Sequence, residues 1–184
     1  FPTRRSSDLR IHNPFTPEKL ATLGAVLRLK PGMRILDLGS GSGEMLCTWA
    51  RDYAITGVGV DMSQLFSEQA KQRSEALGVS ENVTFIHGDA AGFVADEKCD
   101  VAACVGATWI GGGVAGAIAL LQKSLRPGGI ILIGEPYWRQ LPPTEEVAQA
   151  CFANAIADFH TLPQLVASFD ELGYDVVEDR KSVV

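Results

Sequence analysis

The chain is expected to fold as a doubly wound α/β domain around a mostly parallel sheet. Three observations predict this. Short apolar runs alternate with segments of helical character from about residue 34 to residue 134, a spacing that suits strand–helix–strand units rather than hairpins. The first apolar run, Ile35-Leu36-Asp37-Leu38, opens into Gly39-Ser40-Gly41-Ser42-Gly43, and a glycine-rich turn between a first strand and a helix forms a ligand cradle in such sheets. Later runs end at Asp61, Asp89 and Gly106, at the strand ends where open parallel sheets bind ligands.

Each element has its own signal. Thr16-Pro17 is a helix start, an N-cap hydroxyl followed by proline at the first helical position. That helix is expected to reach about Leu29 and to stop at Pro31-Gly32. A strand over 34–38 enters the glycine turn, and a helix over 43–52 leaves it. The second strand, 55–60, ends in Asp61, and Ser63 starts a helix over 63–77. A third strand over 83–87 leads to Gly88-Asp89-Ala90, with a short helix expected near 90–95. The fourth, 101–105, runs into Gly106-Ala107-Thr108-Trp109 and a helix over 114–125. Arg126-Pro127-Gly128-Gly129 reads as a turn before a fifth strand over 130–134. Beyond Glu135-Pro136-Tyr137-Trp138-Arg139 and Pro142-Pro143, helices are expected over 144–157 and 163–172, and a sixth strand over 173–178.

The residues of the glycine turn narrow the ligand. A dinucleotide turn needs G-x-G-x-x-G, which would place glycine at position 44; that position is Glu44. The pattern here is G-x-G-x-G. Asp37, two residues before the first glycine, would repel a pyrophosphate at short range. The same carboxylate suits a ligand that carries an ammonium and a sulfonium but no phosphate, and S-adenosylmethionine is such a ligand. Asp61 lies 22 residues after Gly39, about where an acidic side chain accepts hydrogen bonds from ribose hydroxyls. It suits NAD equally well, so an NAD(P)-dependent oxidoreductase is the alternative reading. A protein that binds the cofactor without transferring methyl is a third.

With these residues in place, the chain resembles the class I S-adenosylmethionine-dependent methyltransferases, and is similar to small bacterial members of unassigned substrate. The resemblance covers roughly residues 11–178 and implies a Rossmann-like fold. It further implies that Asp37, Gly39, Ser40, Gly41 and Gly43 border the methionine part of the cofactor and that Asp61 holds the ribose. By the same resemblance Met62 packs on the adenine, Asp89 and Ala90 meet its amino edge, and Cys104, Val105 and Gly106 floor the site near the methyl group. Substrate-side candidates are Trp109, Glu135, Tyr137 and Trp138, after strands four and five, with His12 a further one near the chain's start. Methyl transfer from a sulfonium needs a general base only when the nucleophile arrives protonated, so no residue is required to be catalytic. The acceptor is expected to be a small molecule.

Composition excludes other classes. A net charge of −6 and the absence of a basic stripe disfavour an electrostatic grip on nucleic acid. The uncharged stretch 101–121 is long enough for a membrane span, but Gly111-Gly112-Gly113 divides it into a buried strand, a loop and a helix. Cys47, Cys99, Cys104 and Cys151 form no C-x-x-C pair, and His12, His87 and His160 are scattered, so buried, reduced cytoplasmic thiols are expected rather than a metal site.

Both ends read as foreign to the domain. Phe1-Pro2-Thr3-Arg4-Arg5-Ser6-Ser7-Asp8-Leu9 matches a translated short-read sequencing adaptor, and Asp179-Arg180-Lys181-Ser182-Val183-Val184 matches its reverse complement. Each segment carries one net positive charge, leaving −8 between them. The methyltransferase domain is therefore expected over 10–178, flanked by artefacts at 1–9 and 179–184. The resemblance also implies a seventh, antiparallel strand between strands five and six. Without it, strand five is expected to be an exposed, aggregation-prone edge.

Overall fold

The computed structural model describes residues 16–151 and 153–176. The adaptor-like ends and His12 lie outside them. The chain divides into two compact units, one running to Gly134 and the other beginning at Glu135.

The first unit is a five-stranded, fully parallel sheet in the order β3-β2-β1-β4-β5. Its strands are β1 (Arg34–Leu38), β2 (Thr56–Asp61), β3 (Val83–His87), β4 (Cys99–Val105) and β5 (Leu125–Gly134); α1 (Pro17–Val26) precedes them, and α2 (Glu44–Tyr53), α3 (Gln64–Ala76) and α4 (Val114–Gln122) lie between successive strands. The Thr16 hydroxyl caps α1 and the Ser63 hydroxyl caps α3, each accepting an N–H from the first turn. The strand order reverses between β1 and β4, so the ends of these two strands form the switch point at which such sheets bind ligands.

Alternation along β1 builds both faces. Ile35 joins a core with Leu46, Trp49, Ile55, Ala70, Phe85 and Val101. Leu36 and Leu38 join the opposite core with Val60, Ala102, Cys104, Leu120 and Leu121. Burial on both faces explains why β1 and β4 read as nearly continuous apolar runs. Trp49, fully buried, donates its indole N–H to the Leu20 carbonyl at 3.2 Å and ties α2 to α1.

Several expectations need correction. Residues 90–95 are not a helix: 90–93 form a turn closed by the Phe93 N–H on the Ala90 carbonyl, and 94–95 are irregular. β5 begins at Leu125 rather than at 130: Leu125 pairs with Cys99, and the ladder resumes only at Val101–Ile130. The expected turn 126–129 is thus an irregularity inside the strand. β5 is one edge of the sheet among the described residues, and β3 is the other. Apart from the lone Trp138–Thr161 bridge, the second unit forms no strand among them; residues 173–176 are irregular and the rest of the expected sixth strand lies outside the described residues.

The second unit holds α5 (Glu145–Ala150), a 3-10 turn (Ile156–Asp158) and α6 (Leu162–Glu171). The helix expected over 144–157 stops at Ala150 because its continuation is claimed by other groups. The Ile156 N–H donates to Glu145 Oε2 at 2.8 Å, and the Ile156 carbonyl accepts the Trp138 indole N–H at 2.8 Å.

Candidate functional site

A cavity of about 380 Å³ opens at the carboxyl ends of β1, β2 and β4 in the first unit. Its lining includes Asp37 from β1, the turn residues Gly39, Ser40, Gly41 and Ser42, and Glu44 and Met45 from α2. Asp61, Met62, Ser63 and Phe66 line it from β2 and the start of α3, and Asp89 and Ala90 from the loop after β3. Val105, Gly106, Ala107, Trp109 and Ile110 close the β4 side, and Leu20 of α1 completes it.

The turn's shape follows from its glycines. Gly39, Gly41 and Gly43 all have positive φ, +78°, +53° and +73°, a region that costs residues with a Cβ. Backbone bonds to β2 hold the first half: the Gly39 and Ser40 N–H groups both donate to the Val60 carbonyl, at 2.8 and 3.1 Å. The carboxylate of Asp61 accepts the Gly41 N–H at 2.8 Å on one oxygen and the Ser63 N–H at 2.8 Å on the other. Asp61 therefore fixes the turn and the start of α3 together, while also facing the cavity.

Electrostatics distinguish two of the carboxylates. Asp37 is only 4% exposed. Burial pushes its carboxyl up to about 7, and the nearby negative charge of Asp61 adds to the rise. A positive ligand would favour its ionised form. Asp89 is exposed and accepts the Ala91 N–H at 2.9 Å, closing a local turn. Lining residues include four acidic side chains and none that is cationic. Such a donor set accommodates an ammonium or sulfonium and opposes a pyrophosphate.

Ten of the twelve residues expected around the cofactor line this cavity: Asp37, Gly39, Ser40, Gly41, Asp61, Met62, Asp89, Ala90, Val105 and Gly106. Gly43 and Cys104 do not. A Cβ on Gly43 would stand 2.6 Å from the Phe85 ring and 2.7 Å from Ala70, so this glycine packs the turn against β3 and α3. Cys104 points into the core beneath the sheet end. Trp109 lines the rim and is 64% exposed. Glu135, Tyr137 and Trp138 belong to the second unit, where Trp138 is buried with Ala148 and Ala153 and its ring meets that of Phe159 at 5.4 Å with a 60° tilt.

Sequence reasoning missed Leu20, Ser42, Glu44, Met45, Ser63, Phe66, Ala107 and Ile110. Glu44 and Met45 were within reach of it, since the first turn of the helix after a glycine cradle faces the ligand. Leu20 and Phe66 carry no local signal.

Comparison with known proteins decides the family. A methyltransferase-domain model matches residues 29–179. The chain belongs to the methyltransferase-domain family. Membership favours the methyl-transfer reading of the turn over the NAD(P) alternative. The chain is 74% identical over 176 residues to the uncharacterized protein YjhP of Escherichia coli (strain K12), spanning 96% of this chain and 71% of that protein. The fold superposes on an S-adenosylmethionine-dependent methyltransferase from Geobacter sulfurreducens, solved in complex with S-adenosyl-L-homocysteine, with a TM-score of 0.92 and 73% identity over 94% of this chain and 70% of that one. A similar enzyme from Thiobacillus denitrificans, also with S-adenosyl-L-homocysteine, gives 0.91 and 73% over the same shares.

Proposed function

We propose that the cavity binds S-adenosylmethionine and that the protein transfers its methyl group to a small-molecule acceptor. The observation that carries this reading is the donor set: a glycine turn and four carboxylates, with no lining cation, at the switch point of the sheet. The volume falls within the range of small-ligand sites, roughly 300–1,000 Å³. The S-adenosyl-L-homocysteine complexes of relatives 73% identical support the same ligand.

When bound, the cofactor supplies a methyl group on a sulfonium, open to in-line displacement. The chain's own residues bind and orient. Asp61, already braced by two backbone N–H groups, would hold the ribose, with Met62 against the adenine and Asp89 at its edge. Asp37 would face the cationic part, and the Gly39–Gly41 backbone would let the ligand approach the main chain. Val105, Gly106 and Ala107 would exclude water from the reacting side. Orientation of this kind can supply roughly 7–11 kcal/mol of a barrier.

The chain's acidity favours a small acceptor over nucleic acid. Cys47, Cys99 and Cys104 are buried and not disulfide-bonded, which supports a reducing, cytoplasmic setting. Among the described residues no helix is long and apolar enough to cross a membrane. Calorimetric titration with S-adenosyl-L-homocysteine tests the binding, and Asp61→Ala should weaken it at least tenfold, since charge-assisted bonds contribute about 1.5–3 kcal/mol each. Undiminished affinity in that variant, or tight NADH binding by the parent, would reject the assignment. An acceptor screen tests transfer; binding without turnover would point to a cofactor sensor.

A further inference from the structure

An ion pair between α2 and α3 stands against the cavity. Arg73 Nε lies 2.8 Å from Glu44 Oε2, with side chains only 18% and 12% exposed. Arg73 Nη1 donates to the Ser42 carbonyl, and the Thr48 hydroxyl donates to the second Glu44 oxygen at 3.4 Å. Ser42 and Glu44 line the cavity, whereas Arg73 stands behind them. β2 and Asp61 hold the first half of the glycine turn; Arg73 reaches the second half from α3. Gly43, the N-cap of α2, brings no side-chain cap of its own.

We propose that Arg73 is a positioning residue for the second half of the turn, and that Glu44 cancels its charge beside a cavity that receives a cation. This rests on the S-adenosylmethionine reading. A planar guanidinium can hold a carbonyl and a carboxylate with separate N–H groups in a fixed geometry, which the point charge of a lysine does less well. Shielded from solvent, its charge is weakly screened. Left uncompensated, that charge would repel a sulfonium and leave a neutral thioether nearly unaffected. Glu44 removes the repulsion.

The test compares dissociation constants for S-adenosylmethionine and S-adenosylhomocysteine by calorimetry on the parent, Glu44→Gln, Arg73→Met, the double variant and Arg73→Lys. Glu44→Gln should weaken the sulfonium ligand relative to the thioether by about three- to tenfold. Arg73→Met should weaken both ligands and move the ratio the opposite way, because Glu44 is then an uncompensated anion. The double variant should return the ratio to the parent's. Arg73→Lys should keep the ratio and lose affinity for both. Damage to the fold alone moves both ligands together and leaves the ratio fixed. A ratio unchanged in Glu44→Gln and Arg73→Met, with the parent binding both ligands, overturns the proposal and spares the cofactor reading. A parent that binds neither overturns both. Should Arg73→Met not fold, a shift in Glu44→Gln without one in Arg73→Lys supports the proposal, and no shift in either overturns it.

Discussion

Replacing Asp37 with asparagine should remove a steep pH dependence from the folding equilibrium. The parent carboxyl is buried at 4% exposure and is raised from 3.8 to about 7, chiefly by that burial and then by Asp61. Between those two values the folded chain keeps a proton that the unfolded chain has released. Raising the pH therefore costs the folded state, at about 1.4 kcal/mol per pH unit. The contribution of Asp37 is full below about pH 3.8 and is lost as the pH rises through about 7. From about pH 5 to about pH 8 the loss amounts to roughly 2–3 kcal/mol. Asparagine has nearly the same shape and does not titrate there. Urea unfolding of parent and variant at both pH values isolates the effect, because every other titrating group is common to the pair. The variant should gain roughly 2–3 kcal/mol relative to the parent on going to the higher pH. A difference between the two proteins that stays constant within about 0.5 kcal/mol would refute the reasoning, since it would mean Asp37 is hydrated or paired with a cation.

Two further outcomes test packing. Gly43→Ala adds a Cβ 2.6 Å from the Phe85 ring at a φ of +73°, and should destabilise the first unit by about 2–4 kcal/mol through backbone strain and overpacking together; an unchanged melting temperature would show the turn can shift freely. Trp138→Ala empties the second unit's small core and breaks the bond to the Ile156 carbonyl, with an expected cost of about 3–5 kcal/mol, read as faster proteolysis within 135–176; parental protection there would place the stability of that unit elsewhere.

Much of the site was legible because its signals are local. The strand bounds 34–38 and 83–87 are reproduced residue for residue, and 55–60 and 101–105 within two. The turn announces itself through three glycines in sequence, and the strand ends through their acidic residues. Failures came where distant groups compete for the backbone. Residues 90–95 contain apolar positions, but the Asp89 carboxylate takes the Ala91 N–H and the Ala90 carbonyl takes the Phe93 N–H, which closes a turn instead. Leu125 joins β5 ahead of the expected start because Cys99 pairs with it, while Arg126 finds Asp100 at 2.7 Å. α5 ends early because Glu145 and Trp138 bind Ile156.

The sequence by itself determined the alternation of elements, the parallel sheet, the glycine cradle and the acidic character of the strand ends. These depend on spacing, periodicity and residue type within a few neighbours. Only the tertiary structure decided which side chains converge: that Asp37 is dry enough to titrate near neutrality, that Asp61 braces the turn, and that Leu20 and Phe66 complete the walls. It alone brought Arg73 of α3 to Ser42 and Glu44, and assigned Trp138 to a core of its own. Contacts between residues far apart in the chain are fixed by how helices pack on the sheet, and no local pattern records that choice.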